Sequence, residues 1–519
     1  MEENPTVDDV IVAGGGDAGK LGALILKEKN PTLDIRIIDD MAEPPREVGK
    51  STFSSITWIL HEQLDIDIRE FVEEVNPVWK HCVYLEDWTG SEFFTPFDLK
   101  SLMDKQEKSL ESVNYRYRTD NFTSVNEEAT YQRKTPFIET SERLTSRHFY
   151  PHVAYHLNVY KFDQYLHELL DRRGIEVIDD AISSVNTDGQ FITSIESDRR
   201  SYEADLYVDT TGFQRILASE LPVSFNEYDF GLDSALVTQV PISLGDVVPA
   251  TVVRTLSNGW TWQIDTTDSR DLGYVYSSEY TTREDARHEF RDEYDIPESA
   301  DISHFEFSAG TYDRAWVGNC LIAGDAYGFV EPLQATSLST HAHAMCDIAD
   351  QLSENSRVMY DGVRHIVNNL LRTYWDEIYD FLTLFYRYAS DETEFWEDMQ
   401  TVGDDDEWDQ YENMYRDGAA FVVSKAKWTN DSMSFGKVFN VHQADYTLYH
   451  LGVPIDIHES DDVAVTKEVK AQIDRKTEKV EETVDAFLTY PEIYSKEYFG
   501  EPRTLVEEER KDKRSNLET

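Results

Sequence analysis

The opening of the chain limits the fold more than any other stretch. Asp9-Val10-Ile11-Val12-Ala13 is an apolar run of strand length that leads straight into Gly14-Gly15-Gly16-Asp17-Ala18-Gly19. Gly14, Gly16 and Gly19 fill the three glycine places of GxGxxG: the first for the tight turn, the second for backbone approach to a pyrophosphate, the third for close helix–strand packing. Asp17 and Ala18 stand between them. A helix over Lys20–Lys29 follows, with Leu21, Ala23, Leu24 and Ile25 as its apolar residues, and its N-terminal N–H groups face the phosphates. A second strand, Asp34 to Ile38, ends at Asp39, 20 residues beyond Gly19. A carboxylate at that point suits ribose hydroxyls. A glycine turn that binds nothing would not need helix, second strand and terminal acid in this order. The unit predicts a dinucleotide site but does not by itself separate FAD from NAD.

Two later segments separate them. Ala204-Asp205-Leu206-Tyr207-Val208-Asp209-Thr210-Thr211-Gly212 reads as a strand closing on a small polar turn, which makes Thr211 and Gly212 cofactor contacts. Asn319-Cys320-Leu321-Ile322-Ala323-Gly324-Asp325-Ala326 reads as a further strand ending in Gly-Asp. A carboxylate at a strand's carboxyl end, ahead of a helix, suits the ribityl and pyrophosphate region of FAD, and Asp325 can serve as a helix N-cap as well. The expected fold is α/β, an FAD-binding Rossmann-like unit carrying a tightly held FAD in preference to free NAD.

Composition narrows the partners. With 48 Lys+Arg against 101 Asp+Glu the formal net charge is −53, and such a surface repels nucleic acid and anionic membranes. The acids are spread along the chain beside ordinary apolar periodicity, which argues against disorder. Concentrated salt screens the self-repulsion to within a few ångströms, so the composition reads as that of an acidic, halophilic protein. Aromatics make up 12% of 519 residues, enough for a roomy aromatic pocket. Cys82, Cys320 and Cys346, without a CxxC, are too few for a disulfide framework or a zinc site, and no metal is expected. No cleavable leader and no run of 18 apolar residues are visible, so a cytoplasmic protein is expected.

Further segments align with one family. Val48-Gly49-Lys50-Ser51-Thr52 is a small-residue turn, and Lys80 precedes Trp88 by eight residues in Trp79-Lys80-His81-Cys82-Val83-Tyr84-Leu85-Glu86-Asp87-Trp88. Tyr155-His156-Leu157 leads into a helix over Val159 to Arg173 that Gly174 ends. Gly259-Trp260-Thr261-Trp262-Gln263-Ile264-Asp265, Gly328-Phe329-Val330-Glu331-Pro332-Leu333-Gln334-Ala335-Thr336-Ser337, the run Asp380 to Tyr386 and Phe395-Trp396 follow in order. Collinearly, these resemble the VGES/AT turn, the lysine segment, GWxWxIP, GFVEPLESTS, DFIxLHY and FW of flavin-dependent tryptophan halogenases. Singly, each is an ordinary surface lysine, strand or core helix; the shared order carries the resemblance. Lys50 stands in place of an acid, Asp265 of proline, Gln334 of glutamate, Ala335 of serine and Phe385 of histidine.

The resemblance implies a chemistry. Reduced FAD (FADH2), oxygen and chloride or bromide yield hypohalous acid, which passes through a tunnel to a separate aromatic pocket. Lys80 there presents electrophilic halogen to the ring, and Gln334 occupies the place of the glutamate that lies near the lysine and takes the ring proton or orients the amine. A glutamine accepts and donates hydrogen bonds but is no base near neutral pH. By the same resemblance Ser51 and Thr52 join the cofactor site and Thr336 and Ser337 the halide site. Trp260, Trp262, Phe381, Phe395 and Trp396 belong to the substrate pocket or tunnel. The substrate is tryptophan or another indole or aromatic, a separate flavin reductase supplies reduced FAD, and a homodimer is implied. Two alternatives stay open: an FAD-dependent aromatic monooxygenase, and a flavin-binding homologue whose halogenase activity is reduced or lost through Gln334. Residues 1–355 are expected to form the FAD domain, with a substrate-side sheet inserted at about 225–308; 356–500 form a mostly helical cap, and 501–519 a charged tail. Residues 401–410 read as a solvated loop. Dialysis from concentrated KCl into dilute buffer is expected to abolish the circular dichroism of the folded state; a protein folded and active in dilute buffer overturns the halophilic reading.

Overall fold

The structure, a computed structural model, describes residues 6–41, 49–99 apart from 89 and 91, 124–139, 144–149 apart from 147, 152–403 apart from 390 and 391, 416, 438–453 apart from 440, and 466–495. Val48, residues 404–410 of the expected loop and the charged tail lie outside the described residues. The opening unit forms as the sequence predicts. Strand Asp9–Ala13 pairs in parallel with Asp34–Asp39 on one side and Leu206–Asp209 on the other. The full sheet runs Glu176–Asp179, Asp34–Asp39, Asp9–Ala13, Leu206–Asp209, Cys320–Ile322, Trp316–Val317, parallel throughout except for the last strand. Val10 and Val12 enter one apolar cluster and Ile11 and Ala13 another, which is why this strand is a continuous apolar run rather than an alternating one. The first helix spans Asp17–Lys29 and so starts three residues before the expected Lys20, because Gly16 already acts as its N-cap. The helix expected to begin at Val159 spans Val159–Arg172, capped by the Asn158 side chain.

The substrate-side sheet is wider than residues 225–308 alone. Its order is Ser303–Glu306, Ser234–Pro241, Ser269–Tyr276, Gly259–Asp265, Ala250–Leu256, Cys82–Leu85, Phe93–Pro96. The last two strands come from the N-terminal third and join through parallel pairing of Cys82–Leu85 with Ala250–Val253. Within the sheet, Trp262 lies against Gly273, where a Cβ would fall 2.0 Å from the indole. A third, three-stranded sheet places Ala154–Leu157 between Lys50–Ser51 and Val78–Lys80. The chain therefore leaves this small sheet at Lys80 and enters the large one at Cys82.

Beyond residue 355 the described elements are mainly helices: Asp361–Arg387, Glu394–Met399, Val441–His450 and Lys467–Asp485. They do not form an exclusively helical cap. Strand Phe487–Thr489 returns to pair with Lys134–Glu139. The largest apolar cluster includes residues of the FAD-side sheet, the substrate-side sheet and the first three of these helices, so these parts share one core.

The turn after Leu206–Asp209 depends on one side chain. The buried Asp209 carboxylate accepts the N–H groups of Thr211, Leu217 and Ala218 at 2.8–3.0 Å and the Thr211 hydroxyl at 2.7 Å. Asp209→Ala leaves those donors unpaired and is expected to lower unfolding stability by about 2–4 kcal/mol, read from urea titration in concentrated salt.

Candidate active site

Gly14 sits at φ +94°, and a Cβ there would lie 2.6 Å from the carbonyl oxygen of Thr210. At Gly19 it would lie 2.0 Å from the carbonyl oxygen of Gly14, whereas at Gly16 it would meet nothing within 4 Å. The first and third glycines are thus fixed by close packing, and the second faces open space. No side chain caps the start of helix Asp17–Lys29, so its first N–H groups remain available to an anion. Asp39 accepts the Gly15 N–H at 2.8 Å from the end of its strand, and Thr210 hydrogen-bonds the carbonyls of Ala13 and Gly14. Ala18 offers its carbonyl to His341 at 2.9 Å. An open glycine face, uncapped N–H groups and a carboxylate at the second strand's end fit a dinucleotide.

The later cofactor segments meet the same region. Gly212 takes φ +59°, while the Thr211 hydroxyl is engaged with Asp209 inside its own turn. Asp325 accepts a 2.6 Å hydrogen bond from Ser337, which begins helix Ser337–Glu354 behind its N-cap Thr336. A residue chosen for the cofactor and one chosen for halide are therefore in contact. The loop leading into this helix holds Ala335 at φ +54°, a left-handed conformation that costs an alanine about 1–2 kcal/mol.

Lys80 is fully buried. Its Nζ donates to Ser51 Oγ at 2.9 Å and to the Thr52 carbonyl at 3.2 Å, and lies 5.3 Å from the centroid of the Phe97 ring. Ser51 is held in turn by Thr251 at 2.8 Å, and Thr52 exchanges hydrogen bonds with the Tyr155 backbone. Burial pushes the Lys80 amine down to about 7, opposed by the Cys82 thiol. Ser51 and Thr52, expected at the cofactor, thus contact Lys80 directly.

From Lys80 an aromatic series extends inward. Phe97 packs edge-on to Phe53 at 5.2 Å, Phe53 on Phe439 at 5.3 Å, and Phe439 stacks on Phe381 at 3.8 Å. Phe381 reaches Phe385 at 5.5 Å, and Phe385 packs on Trp88. Trp88 is the hub of a second group: Trp260, Tyr386 and Trp396. The structure therefore divides the expected pocket residues. Phe381 belongs to the Lys80 side, while Trp260 and Trp396 sit behind Phe385. Phe395 packs outward on Tyr280, and Trp262 neighbours Trp260 with its indole N–H buried and unpaired. Trp396 spends its N–H on the Leu256 carbonyl.

Trp260 donates to the Tyr386 hydroxyl at 2.7 Å, which donates to Glu331 at 3.2 Å. Burial pushes the Glu331 carboxyl up to about 8, so it is protonated at neutral pH. Gln334, three residues on, is buried with its amide nitrogen unpaired. Among the described residues no group of three or more His, Cys, Asp or Glu side chains could hold a metal ion, and no helix is long and apolar enough to cross a membrane.

The family model for tryptophan halogenases matches residues 9–447. The chain belongs to the tryptophan halogenase family, an oxidoreductase family. Tryptophan 7-halogenase RebH of Lentzea aerocolonigenes is 28% identical over 445 residues, 80% of this chain and 83% of that protein. Tryptophan 6-halogenase SttH of Streptomyces toxytricini is 27% identical over 428 residues, covering 76% and 81%. Among solved structures, the lanthipeptide-type tryptophan 5-halogenase MibH superposes with TM-score 0.79 at 26% identity, over 95% of this chain and 93% of that one. The SttH structure gives 0.81 at 22% identity, over 95% and 100%, a likeness of fold.

Within this halogenase chain several site residues carry no local sequence signal. Phe53, Phe97 and Phe439 come together only through the fold, and Ser339, which donates to and accepts from the Phe53 backbone, is an unremarkable helix serine. Glu331 stood inside a quoted motif, yet only its burial reveals that it is protonated. Lys80 gives a measurable pH effect. Its ordinary pKa is 10.5 and its folded value about 7, so below pH 7 both states carry the charge and the fold bears the full cost of burying it. From pH 7 to 10.5 the folded state is already neutral, and the cost fades as the unfolded amine also loses its proton. Lys80→Met is therefore expected to stabilise the protein at pH 6–7 by about 3 kcal/mol more than at pH 10, at about 1.4 kcal/mol per pKa unit. Urea titrations of both proteins at the two pH values check this.

Proposed function

We propose that this chain is a flavin-dependent halogenase that places chlorine or bromine on tryptophan or another indole or aromatic ring. The observation that carries the reading is the Lys80 amine, sealed from water, bonded to the Ser51–Thr52 segment and facing an aromatic wall. The cofactor residues are Gly14, Gly16, Asp17, Ala18, Gly19, Asp39, Thr211, Gly212 and Asp325. Reduced FAD, supplied by a separate reductase, would when bound give two electrons and the halide the other two that reduce oxygen, one oxygen atom ending in hypohalous acid and the other in water.

Two of the three outward positions on Lys80 Nζ are used by Ser51 and Thr52. The third is free for the oxygen of X–OH. An ammonium there stabilises charge on that oxygen as the halogen leaves it for the ring, and lends the proton that turns departing hydroxide into water. The proton lost by the ring restores the ammonium through water. Neither Gln334 nor the protonated Glu331 takes it near neutral pH. Phe53, Phe97, Phe381 and Phe439 suit a flat aromatic guest. Thr336 and Ser337, at a helix start, suit the halide.

A second reading, a flavin-binding homologue that has lost halogenation, is favoured by Gln334, whose buried amide replaces the family's base. Reduced FAD, oxygen and bromide in concentrated KCl with a panel of indoles divide the readings by product mass. Replacement of one hydrogen by halogen is expected; a gain of one oxygen indicates a monooxygenase, and no product the retired form. Lys80→Ala is expected to abolish the halogenated product while FAD binding, read by quenching of flavin fluorescence, stays unchanged. Halogenated product from that variant removes Lys80 from its role.

A further inference from the structure

We propose that Lys50 is the counter-charge that lets an acidic glycine loop accept the diphosphate of FAD; the inference rests on the FAD reading above. Asp17 is the first residue of helix Asp17–Lys29, where the N–H groups would meet the diphosphate, and its carboxylate is buried. A fixed negative charge there opposes an anionic ligand in a chain whose net charge is already −53. The neighbouring charges are committed elsewhere: Lys20 pairs with Asp163, and Asp39 accepts the Gly15 N–H. Among the described residues, Lys50 is the cation that reaches Asp17, by an ion pair to Asp17 Oδ2. Its side chain is 34% exposed against 4% for Asp17, so the ammonium lies on the open side of the pair, where a phosphate oxygen can share it.

The backbone fixes this placement. Lys50 precedes Ser51 in the two-residue strand that pairs with Ala154–Leu157, and Gly49 is anchored by its N–H to Asp271 at 3.0 Å. A Cβ at Gly49 would lie 2.5 Å from the Asp271 carboxyl, so the chain passes close and Lys50 is held at the loop rather than trailing in solvent. The acid at 17 and the base at 50 then act as one unit: together they are neutral, and either alone changes the charge that the diphosphate meets.

The test is a double-mutant cycle on the full chain in concentrated KCl, reading the Kd for oxidised FAD by quenching of flavin fluorescence. Urea midpoints confirm that each variant is folded. Lys50→Met is expected to weaken FAD binding at least about fivefold, as an uncompensated like charge would. Asp17→Asn in the Lys50→Met background is expected to bring Kd back to within about twofold of wild type. Asp17→Asn alone is expected to bind FAD more tightly than wild type, because it leaves the Lys50 charge uncompensated. A smaller loss in Lys50→Met, or a double variant as weak as Lys50→Met, overturns the proposal. Should Lys50→Met not fold, Asp17→Asn decides: tighter binding supports the proposal, and unchanged or weaker binding overturns it. Wild type that binds no FAD overturns the cofactor reading itself, whereas wild type that binds beside an unaffected Lys50→Met overturns only the role of Lys50.

Discussion

Keeping an amine out of water is the constraint around which this site is built. Removing an ammonium from solvent costs several kcal/mol even after relaxation, and the cost is bearable only where oxygens replace the lost hydration. The small sheet supplies them. Lys80 ends one outer strand, Ser51 and Thr52 end the other, and Ala154–Leu157 lies between. The long, unbranched lysine side chain spans that central strand to reach acceptors on its far side. Tyr155 fixes Thr52 through backbone bonds, and the Tyr155 hydroxyl meets His61 at 2.7 Å. The acceptors are thus immobilised by groups that have no other contact with the amine. Such support lets a long, flexible side chain act as a fixed donor.

The same segment joins three environments within four residues. Lys50 faces the glycine loop, Ser51 and Thr52 hold the amine, and Phe53 begins the aromatic wall while bonding through its backbone to Ser339 of the helix that follows Thr336. The glycine loop, the Lys80 amine, the aromatic rings and the helix Ser337–Glu354 are therefore all reached from one extended stretch. A shift of this stretch moves the amine and its acceptors together, which preserves their mutual geometry. Its sequence, Lys-Ser-Thr-Phe, is polar where it meets charge and apolar where it meets rings.

Much of the fold was legible because its signals are local. The opening strand, glycine turn, helix and second strand depend on neighbours within 30 residues, and Asp39 and Asp325 stand at strand ends where the pattern put them. What escaped depends on distant pairing. Nothing in Cys82–Leu85 tells that it will align with Ala250–Val253, and a three-residue strand such as Phe487–Thr489 is too short to leave a period. The site divides in the same way. Lys80 and Gln334 are named by motif. The rings around Lys80 come from positions 53, 97, 381 and 439 and are assembled by tertiary packing alone. Motif likeness also grouped Trp260 and Trp396 with Phe381, whereas packing sets them on opposite sides of Phe385.

The exchange of a carboxylate for an amide at position 334 alters more than proton transfer. A carboxylate near a lysine favours the charged amine and holds its pKa up; an amide does not. For Lys80 the dominant influence is burial, with only the Cys82 thiol opposing it, and no carboxylate contributes. Glu331 is itself uncharged at neutral pH, because burial outweighs its hydrogen bonds from the Leu333 backbone, Tyr386 and Trp260. Burial therefore brings the amine near neutrality, and the loop from 331 to 334 adds no negative charge to oppose it.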